Sequence, residues 1–204
     1  MIRTPLSVEA QHARAEALIL RRTHEMARVD DLARANPERL VVAQRFGVGQ
    51  TLLAFELHLR PRTCVRDGGA PAIRRVGVRA MFDLGPYPDG PPQVGLVSSH
   101  PLFLPGVGNL NTRGAEYFGI PCLYRRFDPE RMDLPRLVLA LWGVLTADPS
   151  QLNAPADAML VDAAIWLVSH RDELGLPLDP PLREADHAQA PRAPGPRRFR
   201  LEEA

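Results

Sequence analysis

The chain has 204 residues, 25 basic and 24 acidic side chains, and a sequence pI near 7.9. That length fits one sizeable core with at most an appended element, and the near-zero net charge excludes a bulk polyelectrolyte role. No apolar run approaches the roughly eighteen residues of a membrane span, and two cysteines, Cys64 and Cys122, are too few for a disulfide framework or a zinc cage.

Ser7 to Ala35 is predicted to form one amphipathic helix. Ser7 is placed to cap it, and Ala15, Leu18, Ile19, Met26, Val29 and Ala33 recur at three- and four-residue steps. Arg22 interrupts that stripe and is expected at its edge, and Asn36-Pro37 ends the helix. Three apolar, partly alternating runs follow: Leu40 to Phe46, Thr51 to Leu59, and Ala72 to Phe82. Gly47-Val48-Gly49 and Asp67-Gly68-Gly69 separate them. Val41, Ala43, Leu53, Phe55, Leu57, Leu59, Val76, Val78 and Ala80 sit at two-residue steps, as half-buried strands require. With Gln93 to Ser98 as a fourth run, the expectation is a four-stranded antiparallel meander.

From Ser99 to Asp133 no period is sustained. A long irregular segment is expected there, of the kind that is usually functional or mobile. Asp133 is placed to cap a helix to about Leu145, with Leu134, Leu137, Val138, Leu141 and Leu145 on one face. Asp148-Pro149-Ser150 closes it, and a last helix is predicted from Ala156 to about Leu174. After Gly175 the proline-rich chain, basic from Pro191 to Arg200, reads as an extended or disordered tail. The fold class is therefore α+β: an N-terminal helix, a four-stranded meander, a long loop and two C-terminal helices. One domain is expected over residues 1–174, with a tail over 175–204.

Two features of the composition bear on function. Every basic residue is arginine, and lysine is absent. Proline reaches 21, about twice the usual frequency, and eleven of these lie between Pro86 and Pro155. A proline-dense stretch cannot be mostly helix or central strand. It favours loops, where chemistry tends to sit.

Cys122, in Gly119-Ile120-Pro121-Cys122-Leu123, is the strongest candidate nucleophile. A thiol in a Pro/Gly loop is more exposed than one inside a strand, and exposure is the first condition for reactivity. The competing reading is a half-buried thiol acting as a small hydrophobe. Cys64, beside Arg62 and Arg66, reads as structural. His100 precedes Pro101 and is a candidate general base for Cys122, or else a hydrogen-bonded structural group. His12, His24, His58, His170 and His187 form no metal-ligand spacing. Gly47-Val48-Gly49 precedes a strand and not a helix, so a nucleotide-binding reading fails its context. No basic patch points to nucleic acid. The Arg197-Arg198-Phe199-Arg200 run is at most a contact for an acidic partner.

In chain order these pieces resemble the ubiquitin-conjugating enzymes. The resemblance covers roughly residues 8 to 174. It rests on the helix, the meander, Tyr87-Pro88-Asp89-Gly90-Pro91-Pro92 leading into the fourth strand, and His100-Pro101. It continues with Gly119-Ile120-Pro121-Cys122-Leu123, a helix, Asp148-Pro149 with Asn153-Ala154-Pro155, and a last helix. By this resemblance the fold is UBC-like, Cys122 is the catalytic cysteine and Asn153 stands at the gate of the active cleft. Leu102 departs from the family's His-Pro-Asn signature, whose asparagine helps build the active site. Loss of an oxyanion donor can cost on the order of 10²–10³ in rate, and Asn109 and Asn111 lie in the same loop as substitutes. The 22 positions from His100 to Cys122 exceed the usual loop, and the tryptophan often found after the cysteine is missing. These departures match the divergent bacterial branch found in ubiquitin-like conjugation operons, several of which act in antiphage defence. The Arg-, Ala- and Pro-rich composition fits a high-GC genome.

The implied reaction is two acyl transfers. Cys122 would take a ubiquitin-like modifier from an activating enzyme as a thioester, then pass it to an amine on a target protein. Asn153 would position the amine, His100 and the proline turn would hold the loop, and the N-terminal helix would face the activating enzyme. No metal or organic cofactor is implied. The absence of lysine suits a carrier of an activated acyl group, since arginine is effectively never a nucleophile; genomic codon bias is the competing cause. Two alternatives stand beside this reading. One is an inactive UBC-fold module that only binds a ubiquitin-like protein or its activating enzyme. The other is a cysteine hydrolase, which needs a base against the thiol and a third group to orient it. Met1-Ile2-Arg3-Thr4-Pro5 lacks the apolar core of a signal peptide, so a reducing cytoplasm is the expected location, with no membrane partner.

Overall fold

The computed structural model describes residues 7–113, 115–123, 132–151 and 157–184. Helix α1 (Val8–Ala35) spans 28 residues and starts where the Ser7 hydroxyl accepts from the Ala10 N–H at 3.2 Å. Its buried face differs from the expected one. Arg22, Glu25, Met26, Val29 and Leu32 are buried, Leu18 and Ile19 are half-buried, and Ala15 is exposed. Arg22, expected at the edge of the stripe, is central to it. Its guanidinium donates to the Leu52 carbonyl at 2.8 Å and to the carbonyls of Leu84 and Tyr87. Those acceptors replace much of the hydration that a buried cation loses. Burial draws the Arg22 pKa below the ordinary arginine value.

The strands are β1 (Leu40–Val48), β2 (Thr51–Leu59), β3 (Arg62–Asp67), β4 (Ala70–Arg75), β5 (Val78–Asp83), β6 (Gln93–Ser98), β7 (Val107–Arg113) and β8 (Glu116–Pro121). Six of them form an antiparallel sheet in the order β1-β2-β5-β6-β8-β7, and β3 pairs with β4 in a separate hairpin. The expected four-stranded meander is present as β1-β2-β5-β6. Three expectations are corrected around it. The run from Ala72 to Phe82 is not one strand: the Val76 N–H donates to the Pro61 carbonyl at 3.1 Å, one step beyond the Arg62–Arg75 pair, and β4 and β5 belong to different sheets. Strand β3 was not expected at all, and it joins β4 through Gly68 and Gly69 at φ +59° and +89°, a turn that glycine makes without steric cost. The segment after Ser99 is not irregular throughout, because β7 and β8 form a hairpin that widens the sheet to six strands.

Alternation along the strands buries Phe55, Leu57 and Leu59, then Val78, Ala80 and Phe82, then Val94 and Leu96. Phe55 and Phe82 stack at 4.7 Å between ring centroids. Helix α2 (Leu134–Leu145) lies next to α1, and nine of its residues are buried. Asp133 caps it by accepting from the Arg136 N–H at 3.0 Å, and Arg28 on α1 donates to the other Asp133 oxygen at 2.5 Å. Asp133→Ala removes both, and should destabilise the fold by about 1–2 kcal/mol. Asp133→Asn keeps the cap and should lose less. A denaturant series that ranks asparagine with alanine would contradict the capping role.

The last helix is also corrected. It is α3 (Val161–Ser169), followed by the single turn α4 (Arg171–Leu174). It starts late because the Met159 and Leu160 N–H groups turn to the Pro105 carbonyl, at 2.9 and 3.4 Å. The expected tail starts too early. Leu178, Asp179 and Leu182 are buried, and Asn36 brackets Arg183 by donating to its carbonyl and accepting from its N–H, both at 2.9 Å. The Trp142 indole donates to the Pro180 carbonyl at 3.0 Å. Packed chain is thus present as far as Glu184, and residues 185–204 of the predicted tail lie outside the described residues. Among the described residues, no helix is long and apolar enough to cross a membrane.

Candidate functional site

Cys122 follows β8 directly, at the seam between the β7–β8 hairpin and the rest of the molecule. Val107 pairs with Pro121, and the ladder extends one step further, because the Cys122 N–H donates to the Gly106 carbonyl at 2.7 Å. The Leu123 N–H then reaches back to the Pro121 carbonyl at 3.1 Å, and the Leu123 side chain is buried. A backbone bond on one side and a buried anchor on the other hold the thiol at the end of an ordered strand. Cys122 is half-buried and free.

Cys64 is the opposite case. It is fully buried in β3, and burial pushes its thiol up to about 12. The contrast has a chemical readout, because the thiolate is the reacting form. Iodoacetamide at pH 8 should modify Cys122 and spare Cys64 until the protein unfolds, as peptide mass mapping would show. The raised Cys64 pKa also sets a pH trend. Below about 8.5, the unfolded thiol value, both states keep the proton and stability is unaffected. Above it the unfolded state releases the proton and the folded state cannot, so stability falls as pH rises toward about 12.

Of the other predicted site residues, His100 is described. Ser98 lies opposite Tyr117 on the β6–β8 ladder, five residues or about 17 Å along β8 from Cys122. His100 lies two residues beyond Ser98, after the end of β6. Its ring contacts the Ser99 hydroxyl at 3.0 Å and its carbonyl accepts from the Ser98 hydroxyl at 2.6 Å. Among the described residues, no hydrogen bond joins the His100 ring to Cys122. The chain after His100 runs along β3: the Arg66 N–H donates to the Pro101 carbonyl, and Leu102 bridges to Val65. Leu102 is 2% exposed, a core residue. Asn109 donates from Nδ2 to the Leu102 carbonyl at 2.6 Å, which engages one of its two amide hydrogens. Nothing is described of the Asn111 side chain, and Asn153 lies outside the described residues.

The neighbours of Cys122 that do emerge were not anticipated. Pro105 and Gly106 form the turn that receives the Cys122 N–H on one residue and the Met159 and Leu160 N–H groups on the other. Met159 also covers Gly108, where an added Cβ would stand 2.7 Å from its terminal methyl carbon. The available signal was Pro105-Gly106-Val107-Gly108, a turn followed by glycine-diluted alternation.

The Tyr-Pro turn is fixed by a buried polar cluster. The Glu25 carboxylate accepts from Arg21 Nε at 2.7 Å, from the Tyr87 hydroxyl, and from the Leu134 N–H at 3.1 Å. One carboxylate thereby ties α1 to the turn and to the first turn of α2, where the helix dipole also favours negative charge. Burial, then the Glu25 hydrogen bond, raises the Tyr87 pKa, so the phenol stays a donor.

Two apolar surfaces complete the picture. A groove of about 1100 Å³ crosses the outer face of the sheet, over Met81, Gly95, Val97, Phe118 and Ile120. On α3, Val161, Ile165 and Val168 form an exposed stripe next to Met159. Among the described residues, no three His, Cys, Asp or Glu side chains gather as a metal site would need. Comparison with family models, curated proteins and solved structures returns no match to this chain.

Proposed function

We propose that this protein is a bacterial ubiquitin-conjugating-like enzyme of UBC-like fold. It accepts a ubiquitin-like modifier on Cys122 and transfers it to an amine of a target protein. The observation that carries this reading is the half-exposed thiol held at the end of an ordered strand. The helix, meander, Tyr-Pro turn and following helix support it by falling in the order that the resemblance implies. In the first step the Cys122 thiolate attacks the carbonyl carbon of the activating enzyme's thioester, a C–S bond forms, and the activating enzyme's thiolate leaves. In the second a target amine attacks, the C–N bond forms, the Cys122 thiolate leaves and the amine proton passes to a base. Both steps are acyl transfers without redox change. Asn153 is the proposed positioner of the amine, α1 the proposed face for the activating enzyme, and a cytoplasmic antiphage system the proposed setting.

The hydrolase reading needs a base against the Cys122 thiol, and the His100 ring contacts the Ser99 hydroxyl instead. The binding-only reading draws on Leu102, an apolar core residue where the family signature has asparagine. The two are separated by the intact mass of the protein after incubation with its activating enzyme, modifier and ATP. An adduct removed by reducing agent is expected of the enzyme; stoichiometric binding without an adduct is the signature of the module.

A further inference from the structure

We infer that the groove on the outer face of the sheet is the docking site of the chain's own C-terminal segment, with the Phe199 ring seated over Gly95. This goes beyond the conjugation reading and does not rest on it.

Gly95 lies in the interior of β6, paired with Met81 of β5, and Val97 next to it on the same face pairs with Phe118. Glycine weakens the interior of a strand, and there it often marks a close approach by another group. Neither usual structural reason for it holds here. The φ of Gly95 is not positive, and a Cβ added to it would meet nothing within 4 Å. The glycine therefore opens a dip among the half-buried Met81, Val97, Phe118 and Ile120, in the groove of about 1100 Å³. An aromatic ring fills such a dip and covers its apolar walls.

The charged lining of the groove favours a cationic occupant. Glu56, Asp83 and Glu116 stand against one guanidinium, that of Arg79, which donates to Glu116 at 2.7 Å. Glu56 sits beside Met81 on the β2–β5 ladder and Asp83 two residues further along β5, so both flank the dip. The stretch from Pro191 to Leu201 carries four arginines and no acid, and Phe199 lies between Arg198 and Arg200. A ring between two guanidiniums complements an apolar dip between two carboxylates.

Length permits the contact. The Asn36 side chain holds Arg183, and the Asn36 carbonyl accepts from the Leu40 N–H where β1 begins. From β1 to β6 is three strand spacings, and rounding the end of the sheet brings the path to about 30 Å. Phe199 is the fifteenth residue after Glu184, a reach of about 50 Å when extended. A tether of that length holds the segment at about millimolar effective concentration, so a weak contact suffices.

The test uses the full chain carrying Cys122→Ala and Glu202→Cys, with a nitroxide attached at position 202. Cys64 is fully buried and stays unlabelled. Methyl NMR of the methionines and isoleucines then reads which surface the segment visits. Met81 and Ile120 should lose about half of their intensity or more, as a contact of about millimolar Kd requires at this effective concentration. Phe199→Ala, which empties the dip, and Gly95→Val, which fills it, should each restore the signals. Valine suits a strand, and its Cβ meets no neighbour there, so the second variant should fold. Undiminished Met81 and Ile120 signals overturn the proposal. So does a loss that survives in either variant, or one centred on Met159 and Ile165, which would put the segment on the α3 stripe instead. A final control mixes nitroxide-bearing chains with isotope-labelled chains that lack the added cysteine. A loss of equal size there means that a second copy supplies the segment, and overturns docking within one chain.

Discussion

Glu25→Ala is expected to lower stability by about 3–5 kcal/mol, the range for removing one partner of a buried charged cluster. The Glu25 carboxylate takes hydrogen bonds from Arg21, Tyr87 and the Leu134 N–H. The Tyr87 hydroxyl and the α2 amide lie where water does not reach, and each orphaned donor costs about 1–3 kcal/mol. For a chain of this size the loss corresponds to a fall in Tm on the order of 10 °C. Glu25→Gln keeps the volume and one acceptor oxygen, and should fall between alanine and wild type. The effect should reach the Tyr-Pro turn, because Tyr87 loses its acceptor while Arg22 still holds the turn's carbonyls. Calorimetry on the two variants measures it, and a Glu25→Ala loss below about 1 kcal/mol would show that the cluster contributes little.

Cys122→Ala should show the reverse: no modifier adduct at all, with stability changed by less than about 1 kcal/mol. The side chain is small and half-buried, and its removal leaves the N–H bond to Gly106 in place. Few contacts are lost, and the local ladder does not depend on the sulfur. Cys64→Ala should do the opposite, since a fully buried β3 residue is being truncated. It should keep the adduct and lose stability. Measuring adduct and melting temperature on both variants separates a nucleophile from a core residue.

Much of the architecture was legible because its signals are local. Ser7 and Asp133 cap their helices through side-chain acceptors, and the alternation of Phe55, Leu57 and Leu59 marks a strand with one buried face. What was illegible depends on partners distant in sequence. Arg22 is buried because the carbonyls of Leu52, Leu84 and Tyr87 converge on it, and nothing in the helix period announces that. The β7–β8 hairpin was hidden because Gly108 and Gly119 thin the apolar alternation. Gly119 is small because Val107 stands 3.0 Å from where its Cβ would be. The strap over 175–184 looks like a tail in sequence because its prolines and charges conceal two buried leucines, Leu178 and Leu182. Cys122 is legible as a motif, whereas the bond of its N–H to the Gly106 carbonyl is a property of strand register.

The most direct measurement replaces Cys122 with serine and incubates the variant with its activating enzyme, modifier and ATP. An oxygen nucleophile at the same position should trap the modifier as an ester that withstands reducing agent and yields to hydroxide. The wild-type adduct should yield to both. That pair of stabilities identifies the bond as one made by the side chain at position 122. An adduct that survives reducing agent equally in both proteins, or that persists in Cys122→Ala, would contradict a thioester on Cys122.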